Sequence, residues 1–253
     1  MRFASLGSGS RGNATLVEAG PTRLLVDCGY PLRELERRLD ALGLCVEALT
    51  AILVTHEHAD HVRGVGPAAR RHGIPVWSSA GTARAAALGD LPSLRVFTSH
   101  AGAFVIGDVE IAPYAVPHDA REPCQFVFAA HGRRLGVLTD AGCVTPHSVA
   151  SLRGVDALLL ECNHDADMLA RGPYPPPLRA RVGGPLGHLS NAQAAGLLQR
   201  LDHGRLSHLV AGHLSEKNNH PELAAQALLA VSPHLGPRLS ILRQESVSGW
   251  FLL

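Results

Sequence analysis

The chain has 253 residues, of which 46 % are hydrophobic and 18 % charged, and its formal net charge is +1. This size and apolar share suit a globular α/β chain with a large core and exclude an intrinsically disordered one. The near-neutral balance excludes a protein that grips nucleic acid mainly through a global basic field, so any such contact must be local.

In chain order, Arg2–Leu6 reads as a short apolar strand followed by the turn-rich loop Gly7-Ser8-Gly9-Ser10-Arg11-Gly12-Asn13. Ala14–Ala19 and Arg23–Val26 are expected to be strands joined through Gly20-Pro21, the second running into Asp27. Leu32, Leu35, Leu39 and Leu42 recur at helical spacing, with Gly43 as the stop. Ala51–Val54 is a fully apolar strand that leads into Thr55-His56-Glu57-His58-Ala59-Asp60-His61, and one helix is expected from there through Arg71. Ile74–Trp77 predicts a strand and Thr82–Leu88 a short helix. Arg95–Phe97, Phe104–Ile106, Val109–Ala115, Gln125–Ala130 and Arg134–Leu138 predict further strands, with a turn at His131-Gly132. After Ser148–Leu152 (helix), Ala157–Leu160 (strand), Ala192–Leu201 (helix), His208–Ala211 (strand) and Pro221–Val231 (helix), the strands Ser240–Leu242 and Trp250–Leu253 close the chain. Between Gly172 and Gly187, Pro173, Pro175, Pro176, Pro177 and Pro185 are expected to preclude a regular helix or central strand, leaving an irregular stretch. No linker divides the chain, so residues 1–253 are expected to be one domain of sheets packed on each other with helices outside.

The cysteines Cys28, Cys45, Cys124, Cys143 and Cys162 are odd in number and contain no C-x-x-C, so neither a disulfide framework nor a zinc ribbon is indicated. Met1–Leu6 leads into a Gly/Ser turn, not an apolar core with a cleavage site, and no apolar run is long enough to span a membrane. The expectation is a cytoplasmic protein with free thiols and no membrane contact.

The chemistry concentrates in the histidines, 15 in all. His56-x-His58-x-Asp60-His61 follows a buried strand, and in extended backbone His56 and His58 point to the same side and can chelate one ion. Asp60 and His61, being adjacent, are expected to diverge, which suits a second ion beside the first. Imidazole and carboxylate are donors for zinc, manganese or iron, and the absence of cysteine argues against a purely structural zinc site. His118, Asp140 and His213 each sit just past a predicted strand, where loops build sites. Taken singly, each is equally well a polar loop residue.

The order Asp27, T-H-E-H-A-D-H at 55–61, His118, Asp140 and His213 resembles the metallo-β-lactamase superfamily over nearly the whole chain. The resemblance implies a four-layer αββα sandwich. It also implies that His56, His58 and His118 hold one divalent metal, that Asp60, His61 and His213 hold a second, that Asp140 bridges them, and that Asp27 orients the metal loop without ligating. S-L-G-S-G-S-R-G-N-A-T-L at 5–16, L-L-L-E-C-N-H-D at 158–165, G-H-L-S-N at 187–191 and G-H-L-S-E-K-N-N-H-P at 212–221 are similar to the YycJ/WalJ-like branch, related to the RNase J and tRNase Z nucleases. This implies a phosphodiesterase or exonuclease acting on DNA or RNA.

Two such ions would lower the pKa of a bridging water toward about 7 and make a hydroxide nucleophile, with Asp60 both a ligand and the group that orients it. His188 lies before a predicted helix and is either a contact for phosphate or the leaving group, or a plain capping-loop histidine. Glu161 and Asn163 are read as supports for neighbouring loops, and His164 as a further candidate beside them. Ser8, Ser10 and Asn13 are candidate phosphate contacts in a glycine-rich loop that is otherwise a turn. Ser215, Asn218 and Asn219 are candidate substrate contacts or a cap for the helix at Pro221. The competing functions are a hydrolase of thioesters, lactones or cyclic phosphodiesters with the same ligands, and a non-catalytic metal-binding regulatory protein. An arginine-lined groove beside the metals would favour nucleic acid; a narrow closed pocket would favour a small molecule.

Overall fold

The computed structural model describes residues 1–100 and 102–253. The chain runs through β1 (Arg2–Gly7), β2 (Ala14–Ala19), β3 (Thr22–Val26), β4 (Ala51–Val54), β5 (Val76–Ser79) and β6 (Leu94–Phe97). It continues through β7 (Phe104–Ile106), β8 (Val109–Ala115), β9 (Cys124–Ala130), β10 (Arg133–Leu138), β11 (Ala157–Glu161), β12 (His208–Gly212) and β13 (Leu239–Ile241), and ends with β14 (Phe251–Leu252). Two sheets result, ordered β14-β1-β2-β3-β4-β5-β6 and β13-β12-β11-β10-β9-β8-β7.

Alternation along each strand explains the layers. In β4, Ala51 and Leu53 join Phe3, Val17 and Leu24 of the first sheet and Phe126, Phe128, Val137 and Leu159 of the second in a core between the sheets. Ile52 and Val54 point the other way, against Leu35 and Leu39 of the helix Leu32–Asp40 and Val65, Ala68 and Ala69 of the helix Val65–His72. In β11, Leu158 and Leu160 face Leu152, Leu197, Leu198 and Leu228 from helices on the far side of the second sheet. Both faces of each sheet are therefore covered, which is why β4 and β11 read as unbroken apolar runs. The architecture is the expected αββα sandwich. Truncating a central leucine such as Leu53 to alanine costs about 2–5 kcal/mol.

Strand direction decides where the site forms. β1 and β3 each run antiparallel to β2, and β3 runs parallel to β4. β8 and β10 each run antiparallel to β9, and β10, β11 and β12 are mutually parallel. The residues just past β1, β3 and β4, and those past β8, β10, β11 and β12, thus leave each sheet at one end. In open α/β sheets, ligands bind beyond the carboxyl ends of the strands.

Three local expectations are corrected. The proline-rich stretch does contain a helix, Pro176–Val182, because Pro176 and Pro177 occupy its first turn, where no intrahelical N–H is needed. Another short helix, Ala166–Arg171, precedes it, capped by the Asp165 side chain. The single helix expected through Arg71 is two, Ala59–Val62 and Val65–His72, parted at Gly64. The Gly64 N–H donates to Cys28 O at 2.8 Å, and a Cβ there would stand 2.0 Å from Tyr30 O, so the chain packs against its neighbour where only glycine fits. The helix expected at Thr82–Leu88 is shifted to Ala80–Ala85, where Ser79 supplies the cap.

Candidate metal centre

At the end of β3 the chain turns sharply at Asp27, which has a left-handed φ of 61°. Its carboxylate accepts the Thr55 N–H and the Thr55 hydroxyl, both at 2.8 Å, and pairs with His61 Nδ1 at 2.8 Å. Asp27 thereby holds the loop after β4 and leaves His61 presenting Nε2. Thr55 Oγ1 lies 3.0 Å from His56 Nδ1, which orients that ring in the same sense. His58 precedes the single helical turn Ala59–Val62, which carries Asp60 and His61. Their side chains do not diverge as expected for neighbours in a strand. On a helix the step between them is about 100°, and both face His213, with Asp60 Oδ2 3.5 Å from His61 Nε2 and 3.8 Å from His213 Nε2.

The second sheet contributes His118, whose Nδ1 donates to Gly187 O at 2.9 Å and whose Nε2 lies 3.2 Å from His58 Nδ1. Asp140 and His213 follow β10 and β12 with left-handed φ values of 52° and 56°. Glu161, the last residue of β11, is fully buried and ties this side together. Its carboxylate accepts from the Ala141 and Leu189 N–H groups at 3.0 and 3.1 Å, and from His188 Nδ1 and His213 Nδ1 at 2.9 Å each. Asn163 fixes the loop beyond, with Nδ2 donating to His213 O at 3.0 Å.

The seven expected ligand residues converge. His56, His58 and His118 form one group whose donor atoms lie within 4.8 Å of one another, and Asp60, His61 and His213 form another. Asp140 stands between the groups, Oδ2 at 3.2 Å from His61 Nε2 and Oδ1 at 4.0 Å from His118 Nε2. His56 Nε2, His213 Nε2 and Asp140 Oδ2 are buried and have no hydrogen-bond partner. Orphaned buried donors and acceptors are costly unless something satisfies them. Two nitrogens about 3.3 Å apart is the spacing of neighbouring ligands around a tetrahedral cation, close to the His58–His118 separation. The donor set fits divalent metal.

The electrostatics point the same way. Burial opposes charge on His61, yet Asp140, Asp27 and Asp60 push its imidazole well above the usual range. Burial also opposes charge on His213, which Asp140, Asp60 and Glu161 nonetheless raise to about 10. Burial would raise the Glu161 carboxyl, but His188 and His213 hold it at about 2. His56 is pushed well below the usual range by burial and by His61. The carboxylates of this site demand positive charge beside them.

A cavity of about 320 Å³ opens over Asp60, Asp140, His188 and His213. His188 lies on its wall with Nδ1 tied to Glu161. Ser10 also lines it. The other expected substrate contacts are occupied inside the fold. Ser8 Oγ accepts the His213 N–H at 2.7 Å, and Asn13 bridges Gly9 and the Asp60 backbone, its Nδ2 3.1 Å from His61 Nε2. Ser215 Oγ accepts the Asn218 N–H, Asn219 Nδ2 donates to Cys162 O at 2.7 Å, and Asn218 is wholly buried. These side chains bond the loops together; none of the five lines the metal-site cavity, and Ser8, Ser215 and Asn219 line a separate one. His164 is buried in a different place, where it lines a separate cavity with Arg179 and Ser190. The sequence reading missed Asp119 and Arg181, an ion pair at the cavity mouth, and the apolar wall of Leu178 and Val182. Asp119 adjoins His118 in V-P-H-D and was detectable; the others lie on the helix that the prolines disguised.

The sequence profile of the "Beta-lactamase superfamily domain" matches residues 22–213. The chain belongs to the β-lactamase superfamily. Exodeoxyribonuclease YycJ of Bacillus anthracis is 34 % identical over 239 residues, covering 93 % of this chain and 90 % of that protein. Exodeoxyribonuclease WalJ of Streptococcus pneumoniae is 34 % identical over 233 residues, covering 90 % and 87 %. This superfamily member is thus in the YycJ/WalJ branch. Its fold is similar to the metallo-β-lactamase fold protein YhfI from Bacillus subtilis, with a TM-score of 0.76, 18 % identity and 98 % of each chain covered.

Proposed function

We propose that this superfamily member is a phosphodiesterase that removes nucleotides from DNA ends using two divalent ions, held by His56, His58 and His118 and by Asp60, His61 and His213, with Asp140 between them. The observation that carries the reading is the convergence of these seven side chains, with His56 Nε2, Asp140 Oδ2 and His213 Nε2 buried and unpartnered among them. DNA as the substrate is supported by the names of relatives that match along nearly the whole chain. Nitrogen and carboxylate oxygen accommodate zinc, manganese and iron alike.

When bound, the cations supply Lewis-acid activation of water and stabilise charge developing at phosphorus. The chain's own groups do the positioning. Asp60, at the cavity wall, accepts a hydrogen bond from the attacking water and orients it. Glu161 engages Nδ1 of His188, so Nε2 meets the leaving oxygen and gives it a proton. Arg181, held at the mouth by Asp119, neutralises a non-bridging phosphate oxygen. Because both sheets supply the site, residues 1–253 act as one domain. Free cysteines, and the lack among the described residues of any helix long and apolar enough to cross a membrane, support a cytoplasmic setting.

Purified protein of measured metal content, assayed on 5′- and 3′-labelled DNA and RNA, bis-p-nitrophenyl phosphate and a thioester with added manganese or zinc, tests this. Stepwise shortening of DNA that a chelator abolishes and metal restores is expected; cleavage of the thioester alone overturns the reading. Asp60→Ala is expected to lower turnover by about 10²–10⁴-fold with cooperative melting retained. Near wild-type turnover removes Asp60 from the mechanism.

A further inference from the structure

A second cavity, of about 460 Å³, lies across Ala59 from the metal-site cavity, and Ala59 lines both. Its wall carries Arg63, Arg70 and Glu57 beside the apolar Ala87 and Leu88. Arg63 is one helical turn past Ala59, with its N–H donating to Ala59 O at 3.1 Å. Residues three and four apart share a helix face about 5–6 Å apart, so Arg63 stands beside Asp60 at the cavity edge. Arg70 is anchored by Nη1 donating to Leu88 O at 2.6 Å. Arg11, Arg37, Arg38, Arg133 and Arg181 all pair with carboxylates, whereas neither Arg63 nor Arg70 has an ion-pair partner among the described residues. Glu57 Oε1 accepts the Arg121 N–H at 2.6 Å, but its Oε2 is buried with no partner.

Two unpaired guanidiniums, an acceptor lacking a donor and an apolar wall, in a space large enough for a nucleoside, form a complementary set. Guanidinium recognises phosphate bidentately and stacks on bases. A carboxylate accepts from the amino groups of bases. We propose that this cavity is a second nucleotide subsite, in which the phosphate next to the scissile one rests on Arg63 and its nucleoside enters against Arg70, Leu88 and Glu57. The proposal rests on the phosphodiesterase reading and sharpens it. The substrate is a strand with consecutive phosphates, not a cyclic mononucleotide or a lactone.

The test compares wild type with Arg63→Ala and Arg70→Ala, each checked for unchanged metal content and melting. Binding of a fluorescein-labelled oligodeoxycytidylate with phosphorothioate linkages, whose bases carry the amino group that Glu57 would accept from, is followed by anisotropy across salt concentrations, alongside turnover of labelled DNA and of bis-p-nitrophenyl phosphate. Arg63→Ala is expected to weaken oligonucleotide binding about tenfold and to lower the slope of log affinity against log salt by roughly one phosphate contact, about 0.7. It raises KM for DNA more than it lowers kcat and keeps bis-p-nitrophenyl phosphate hydrolysis within about twofold. Unchanged oligonucleotide affinity and salt slope in both variants overturn the subsite, as does an equal loss on the small diester. A wild type that hydrolyses neither DNA nor the diester sinks the functional reading instead, because binding is measured without turnover.

Discussion

The first sheet delivers His56, His58, Asp60 and His61 from one short segment after β4, and one carboxylate, Asp27, holds that segment through Thr55 and His61. The second sheet delivers His118, Asp140, His188 and His213 from four separate loops, and Glu161 holds two of those histidines and two backbone N–H groups at once. A contiguous motif needs one support because the backbone has already brought its candidate metal-binding side chains together. Dispersed ligands need a shared anchor, and burying that carboxylate is tolerable only because every bond it accepts is satisfied. Asp140 is where the halves meet, with contacts to histidines of both.

The sharpest way to break this comparison is to remove the meeting point. Asp140→Ala is expected to cost far more than the roughly 10–100-fold in metal affinity that loss of an outer partner costs. The metal content of purified protein, together with hydrolysis of bis-p-nitrophenyl phosphate, reads it. Full metal occupancy in this variant means that the two groups bind independently and that Asp140 joins nothing.

Next in size are the two anchors. Asp27→Asn and Glu161→Gln are each expected to weaken metal binding by about 10–100-fold. They separate at saturating metal. Asp27→Asn recovers kcat, since Asp27 touches only the loop and His61. Glu161→Gln does not, because it also orients His188. Equal recovery of both variants leaves His188 without a part in turnover.

A smaller effect separates support from substrate contact in the glycine-rich loop. Ser8→Ala strands the buried His213 N–H, a loss of about 1–3 kcal/mol, visible as a lower melting temperature with KM for DNA unchanged. A raised KM with unchanged melting restores Ser8 as a substrate contact.

The asymmetry between the halves also governed what the sequence could disclose. His56 to His61 announced themselves because ligand-type residues crowd into one stretch after an apolar strand. His118, Asp140 and His213 were findable only as residues just past strands, since nothing local says that three distant loops share a rim. For Ser8, Asn13, Ser215, Asn218 and Asn219 the sequence offered both a substrate contact and a turn or cap role and could not choose, because a polar loop residue looks the same whether it faces water or a buried backbone group. Arg181 was hidden by a sound rule applied one turn too far, prolines being hostile to helix interiors but not to their first turn. Neighbour rules set the strands correctly; partners fixed by tertiary approach, such as Gly64 against Tyr30, lay beyond them.

The smallest test concerns backbone strain. Asp27, Asp140 and His213 adopt left-handed φ at the rim, and His131 adopts it, at 51°, in the hairpin between β9 and β10. Residues other than glycine, asparagine and aspartate pay roughly 1–2 kcal/mol for that conformation. At the rim only His213 bears that cost, Asp27 and Asp140 being aspartates, and its turn aims the ring into the candidate metal centre, so the strain is tied to a position that must be kept. His131 is exposed, makes no such contact, and precedes Gly132, which is also left-handed at 72°. Asn-Gly is the favoured pair for such two-residue turns. His131→Asn is therefore expected to stabilise the chain by under about 1 kcal/mol, raising the melting temperature by about 1–3 °C, with activity unchanged. His213→Asn, which keeps the same local preference, should instead lose metal. If His131→Asn lowers the melting temperature, left-handed strain is not what distinguishes the hairpin from the rim, and the ligand turns must be explained by their hydrogen bonds alone.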